Sequence, residues 1–146
     1  MRLVVGLGNP GERYRCTRHN VAWEVLDELA SRTAARESPG HATHRARRAT
    51  LAGQETELLQ PLTTMNRSGE ALAAWRERNG PESELLVICD DVYLPLGALR
   101  MRTDGSTGGH RGLESIAAAF GSEDYTRLRI GVGAAAGSEA LREHVL

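Results

Sequence analysis

The chain contains no lysine. Its eighteen basic residues are all arginine, so every cationic contact takes the planar form that pairs bidentately with phosphate. Cysteine is scarce as well. Cys16 and Cys89 are the whole complement, which suits a reducing cytoplasm and offers no zinc-ligand spacing. No stretch is apolar enough or long enough to cross a bilayer, and no signal peptide is recognisable ahead of the first strand. An excess of charge of one sign is also lacking. The net charge is −1, without the global basic bias that many nucleic-acid binders show. Repeats and linkers are absent too, so residues 1–146 are expected to form one domain. At 146 residues and 40% hydrophobic, that domain can bury a real core.

What is present is concentrated in the first twenty residues, MRLVVGLGNPGERYRCTRHN. Leu3 to Leu7 is a short apolar, β-branched run expected to be a buried strand. Gly6, Gly8 and Gly11, with Asn9-Pro10 between them, break it into a tight loop. Thr17 is placed to cap a helix, which puts Arg18, His19 and Asn20 in its first turn. The glycines also spell G-x-G-x-x-G. The dinucleotide fingerprint, however, needs a helix opening at the third glycine and an acidic residue after the next strand. Glu12 to Cys16 intervene instead, and the following region is polar and arginine-rich, which argues against a nicotinamide or flavin site.

Further along, Val21, Val25, Leu26 and Leu29 fall at helical spacing and predict a helix to about Arg32. Glu37 to Ala49 reads as a solvated loop; Arg45, Arg47 and Arg48 could make it a local phosphate-binding patch. His41 and His44 have no third ligand nearby to complete a metal site. Thr50–Leu51 and Thr56–Gln60 read as a hairpin around Gly53-Gln54. Ser68 is expected to cap a helix ended by Asn79-Gly80-Pro81. Leu85 to Cys89 reads as an interior strand delivering Asp90 and Asp91 at its carboxyl end, where ligands sit in open α/β sheets. Alternation along the strand should turn the two carboxylates apart, which disfavours a shared metal. A strand over Ala98–Arg102, a glycine loop over Asp104–Gly112, a helix from Leu113 to Phe120 closed by Gly121 and a strand over Leu128–Val132 follow. Ser138–Leu146 is expected to form a short helix running into a strand.

Taken as bare residues, His19 and Asp90 are the best acid–base pair on offer. A carboxylate against one ring nitrogen fixes the tautomer while the other nitrogen takes a proton from water. Asn9 and Asn66 lie in loops beside structured elements, where their amides could grip a carbonyl oxygen or merely form turns. Cys16, one turn from His19, carries no mark of activation. The loop Gly105–His110 lacks the lysine of a phosphate-binding P-loop, although its amides could meet a phosphate.

Four stretches taken together carry a resemblance. They are VVGLGNPGERYRCTRHN, QPLTTMNRSGEAL, CDDVYLPLGALRMRTDGSTGGHRGLESI and YTRLRIGVG. In this order they resemble the bacterial peptidyl-tRNA hydrolase family, with its G-L-G-N-P-G and T-R-H-N, P-x-T-F-M-N-x-S-G, G-G-H-N-G-L and R-L-R-I-G-I-G segments. The resemblance implies an α/β fold, a mixed twisted sheet flanked by helices in three layers. It implies hydrolysis of the ester between a peptidyl or aminoacyl group and the tRNA 3′ end, by water activated at His19, which Asp90 orients. Asn9, Tyr14, Met65 and Asn66 would bind substrate, with no metal or organic cofactor. The expected partner is acylated tRNA, not a membrane; the protein is expected to be a cytoplasmic monomer. A specialised aminoacyl-tRNA hydrolase, an acyl transferase and a tRNA-binding module without catalysis are the rival readings.

Two departures stand out. Arg111 occupies the place of the asparagine in G-G-H-N-G, on what reads as a loop able to aim it inward and alter substrate preference. The chain also stops at Leu146, where family members continue into a C-terminal helical lid.

Overall fold

The computed structural model describes residues 1–14 and 17–133. Seven strands form one sheet in the order β2-β3-β4-β1-β5-β7-β6. The parallel centre consists of β1 (Arg2–Gly6), β4 (Gln54–Pro61), β5 (Glu84–Asp91) and β7 (Thr126–Gly131). The antiparallel margins are β2 (Arg36–Glu37) with β3 (His44–Leu51) on one side and β6 (Leu99–Arg102) on the other. A parallel strand covered on both faces must be apolar on both, and β1 and β5 meet that demand.

Alternate residues of these strands feed two cores. Leu3, Val5, Leu85, Val87 and Cys89 pack with Leu72, Trp75, Leu113 and Ile116 of helices α2 (Ser68–Asn79) and α3 (Arg111–Phe120). Val4, Leu58 and Ile88 pack on the opposite face with Ala22, Leu26 and Ala30 of α1 (Val21–Arg32). The result is the expected three-layer α/β arrangement. α2 and α3 approach closely at Gly69, whose amide donates to Ser115 Oγ at 2.8 Å. A side chain there would lie 2.2 Å from the Ser115 carbonyl oxygen.

Several local expectations are corrected. The stretch expected as a solvated loop contains β3, which pairs with β4 from His44↔Pro61 to Leu51↔Gln54. Its alternation of arginine with alanine lacks the β-branched residues that advertise a strand, and cross-strand pairing overrides that weak propensity. Thr17 caps no helix with its side chain; its hydroxyl donates to the Tyr14 carbonyl at 2.7 Å. A 3₁₀ turn over Arg18–Asn20 then leads into α1. Ser68 likewise opens α2 without capping it, donating to the Met65 carbonyl at 2.8 Å. Helix α3 starts at Arg111, two residues earlier than its apolar pattern suggests, because the His110 side chain caps it. The end of α1 at Arg32 and the left-handed Gly121 after α3 agree with expectation. The elements expected after Ser138, and Cys16, lie outside the described residues.

Candidate active site

The carboxyl ends of β1 and β5 hold the site, where the strand hydrogen bonds run out and loops take over. Leu7 extends the β1–β5 ladder by one bond, its amide donating to the Ile88 carbonyl at 3.0 Å. Beyond it the chain turns through Gly8 and Asn9. A side chain at position 8 would meet the Trp23 ring at 2.6 Å and Asn20 Oδ1 at 2.9 Å. That close approach lets the buried Asn20 grip Asn9 at both backbone ends. The Asn9 amide donates to Asn20 Oδ1 at 2.7 Å, and Asn20 Nδ2 donates to the Asn9 carbonyl at 2.8 Å. Trp23 Nε1 ties the same loop to α1 through the Gly6 carbonyl at 3.0 Å.

The Asn9 side chain is thereby aimed. Its Oδ1 accepts the Met65 amide at 2.7 Å. A backbone N–H can only donate, so the atom facing Met65 is the oxygen and Nδ2 is left as the donor. Met65 is buried and its sulfur lies against the start of α3 at Gly112. Asn66 is exposed beside it, its Oδ1 accepting from Thr64 Oγ1 at 2.9 Å.

Asp90, at the end of β5, is 2% exposed. It accepts two hydrogen bonds, from His19 Nδ1 at 2.7 Å to Oδ2 and from His110 Nε2 at 2.9 Å to Oδ1. Burial on its own would raise the Asp90 carboxyl. The hydrogen bonds from His110 and His19, with the attraction of both rings, outweigh it and hold the carboxyl at about 2. Asp90 is therefore a carboxylate at neutral pH. It fixes the His19 proton on Nδ1 and leaves Nε2 with its lone pair; Nε2 makes no hydrogen bond among the described residues. Asp91 points away, as the strand alternation requires, accepting from the Tyr93 amide at 2.8 Å with Arg129 at 3.7 Å.

Of the residues expected in the site, Asn9 and Met65 are joined by one hydrogen bond and His19 and Asp90 by another, with Asn66 next to Met65 in the chain. Tyr14 is half-buried in the preceding loop, with the Arg13 guanidinium 5.5 Å from its ring centre. No hydrogen bond among the described residues links its phenol to the His19–Asp90 pair. Arg111 is the exposed first residue of α3, not part of a loop, and makes no ion pair among the described residues.

As single residues, His110 and Asn20 carry no functional signal in the sequence. The only signal for His110 was its place in the G-G-H segment; Asn20 ends T-R-H-N, where nothing local shows that it clamps a loop eleven residues away. The donor atoms of His19, Asp90 and His110 lie within 4.8 Å of one another. They already face each other in direct hydrogen bonds, so a cation would have to break both. Cys89 is buried, and that burial pushes its thiol up to about 12, which leaves it a packing residue. A separate cavity of about 600 Å³ lies at the opposite ends of the strands, between Leu3, Leu85, Phe120 and Tyr125, and contains none of these groups.

The arginines of β3 differ from those of β6 and β7. Arg45 pairs with Glu37, Arg47 lies 3.0 Å from Asp27 and Arg48 lies 3.2 Å from Glu57. The expected basic patch on this stretch is thus largely neutralised from within. Arg100 and Arg102 stay exposed on β6, in register with Arg129 and Arg127 of β7. Arg127 Nη1 holds the Gly105 carbonyl at 2.8 Å, and Arg129 Nη2 reaches the Ser106 and Thr107 carbonyls at 3.2 Å each. Together they brace the loop that leads to His110.

The chain can be placed among known proteins on these features. It is 44% identical over 147 residues to a peptidyl-tRNA hydrolase of Halalkalibacterium halodurans, covering 100% of this chain and 80% of that protein. To the peptidyl-tRNA hydrolase of Aquifex aeolicus it is 43% identical, covering 100% of this chain and 77% of the relative. The crystal structure of peptidyl-tRNA hydrolase from Acinetobacter baumannii superposes with a TM-score of 0.89 at 32% identity, over 99% of this chain and 74% of that one. A family model described as Peptidyl-tRNA hydrolase matches residues 3–146. With a family model over residues 3–146 and relatives more than 40% identical along its whole length, the chain belongs to the peptidyl-tRNA hydrolase family.

Proposed function

We propose that this protein hydrolyses the ester between the peptide and the 3′-terminal ribose of peptidyl-tRNA, with His19 as general base. The observation that carries the reading is the 2.7 Å bond from His19 Nδ1 to an ionised, buried Asp90, which leaves Nε2 free to take a proton.

In the first step Nε2 accepts a proton from water as the water oxygen attacks the ester carbonyl. Asp90 stabilises the imidazolium without itself taking the proton. Charge develops on the carbonyl oxygen, and Asn9 Nδ2, held in place through Asn20 and Met65, is the donor aimed to meet it. Asn66 offers a second amide. Collapse of the tetrahedral intermediate breaks the bond to the ribose oxygen, which leaves with the proton carried on His19 Nε2. The products are a free peptide carboxylate and tRNA with its terminal hydroxyl restored. Every group named belongs to one chain, so a monomer suffices. Among the described residues no helix is long and apolar enough to cross a membrane; it is the proposed substrate, tRNA, that places the work in the cytoplasm.

Single-turnover release of labelled peptide from peptidyl-tRNA tests the proposal. The parent protein should liberate free acid, and His19→Ala should be slowed by roughly 10²–10⁴-fold with its fold unchanged. A folded His19→Ala protein at the parent rate removes His19 from the mechanism. Formation of a new amide or ester would identify a transferase, and binding without release a tRNA-binding module.

A further inference from the structure

His110 is engaged at both ends of its ring. Nε2 lies 2.9 Å from Asp90 Oδ1. Nδ1 lies 3.1 Å from the Gly112 amide nitrogen and 3.3 Å from that of Leu113, and accepts from both as the cap of α3. Two N–H donors converging on Nδ1 permit one arrangement only, a bare Nδ1 and a proton on Nε2 given to Asp90. Both nitrogens are spent, and His110 keeps no lone pair for a proton from water.

We propose that His110 is the positioning residue of this site, transmitting the fixed orientation of the α3 N-terminus to Asp90 and through it to the base. The carboxylate is planar, so holding Oδ1 against His110 sets the direction in which Oδ2 meets His19. The rings of His19 and His110 flank it with their centres 5.7 Å apart. α3 is itself anchored, through the Ser115 hydroxyl on Gly69 and through Gly112 against Met65. The chain of contacts thus runs from the packed helices to the carboxylate and ends at His19 Nδ1. The inference rests on the reading of His19 as the base.

The two bonds can be separated by side-chain shape. In His110→Asn the amide oxygen takes the place of Nδ1 and still caps α3, but nothing from position 110 reaches Asp90. In His110→Gln the longer amide takes the place of Nε2 and reaches Asp90, while the cap is lost. His110→Asn is expected to stay folded at the assay temperature and lose about tenfold or more in kcat with KM unchanged, the signature of a misaimed catalytic group. His110→Gln is expected to melt lower and to recover most of the lost kcat. Nitrogen-15 spectra of the imidazoles in the full chain should show His110 protonated on Nε2 alone. Parent-like kcat in His110→Asn, equal losses in both variants, or a proton found on Nδ1 would each overturn the proposal. If the parent released no peptide from peptidyl-tRNA, the hydrolase reading would fail, and the ring spectrum would still decide how His110 is held.

Discussion

Asp90 ties the acid stability of the protein to its chemistry. Its carboxyl is held at about 2 in the fold, against a usual value of 3.8. A carboxyl depressed by folding contributes stability that is complete above its unfolded value and is lost as pH falls through the folded one. The contribution should therefore fade between about pH 4 and pH 2. Asp90→Asn lacks the titrating group, so its stability should change less than the parent's across this window, as followed by denaturant unfolding at a series of pH values. Equal acid profiles for the two proteins would mean that the His19 and His110 bonds do not hold the carboxyl down. Arg111 belongs to the same scale. As an exposed cation it is screened over about 8 Å at physiological ionic strength, so it can select only among acyl groups that bring charge to the rim. Arg111→Asn is expected to weaken a preference for acidic over neutral acyl groups at low salt, with the difference fading at high salt. An unchanged panel of rates at low salt would take Arg111 out of the site.

Strand and helix contacts decide which arginines remain for tRNA and how firmly the site is aimed. The arginines of β3 face Glu37, Asp27 and Glu57, whereas Arg100 and Arg102 on β6 are exposed. Replacing Arg100 or Arg102 by alanine should reduce the log–log salt slope of tRNA binding by about 0.7 to 0.9 per lost phosphate contact. Arg45→Ala should leave that slope where it was. The opposite ranking would place the RNA along β3. At the α2–α3 crossing, Gly69→Ala would put a methyl group 2.2 Å from the Ser115 carbonyl oxygen, and neither backbone can yield without moving its helix. A loss of about 1–3 kcal/mol is expected, read by thermal unfolding. A fall in kcat should accompany it, because α3 carries His110. Parent-like stability would show that the helices separate freely.

Across the whole molecule, the features legible in the residues were those set by short-range rules. Continuous apolar runs marked β1 and β5 as central strands. Helical spacing and Gly121 placed the ends of α1 and α3, and four ordered motifs carried the family. His19 and Asp90 stood out because their chemistry is rare and their flanking segments are regular. Tertiary structure decided the rest, where a role depends on partners distant along the chain. β3 is a strand only because β4 pairs with it; its arginine–alanine sequence asks for no sheet, and its charges are answered by acids from α1, β2 and β4. Asn20 reads as a helix-start residue until the Asn9 backbone arrives against it. His110 reads as part of a glycine loop until α3 begins at its side chain and β5 brings Asp90 to within 2.9 Å. Periodicity and capping follow from neighbours three or four residues away and can be read along the chain. A hydrogen bond across twenty or seventy residues exists only once the sheet order has set which strand ends meet.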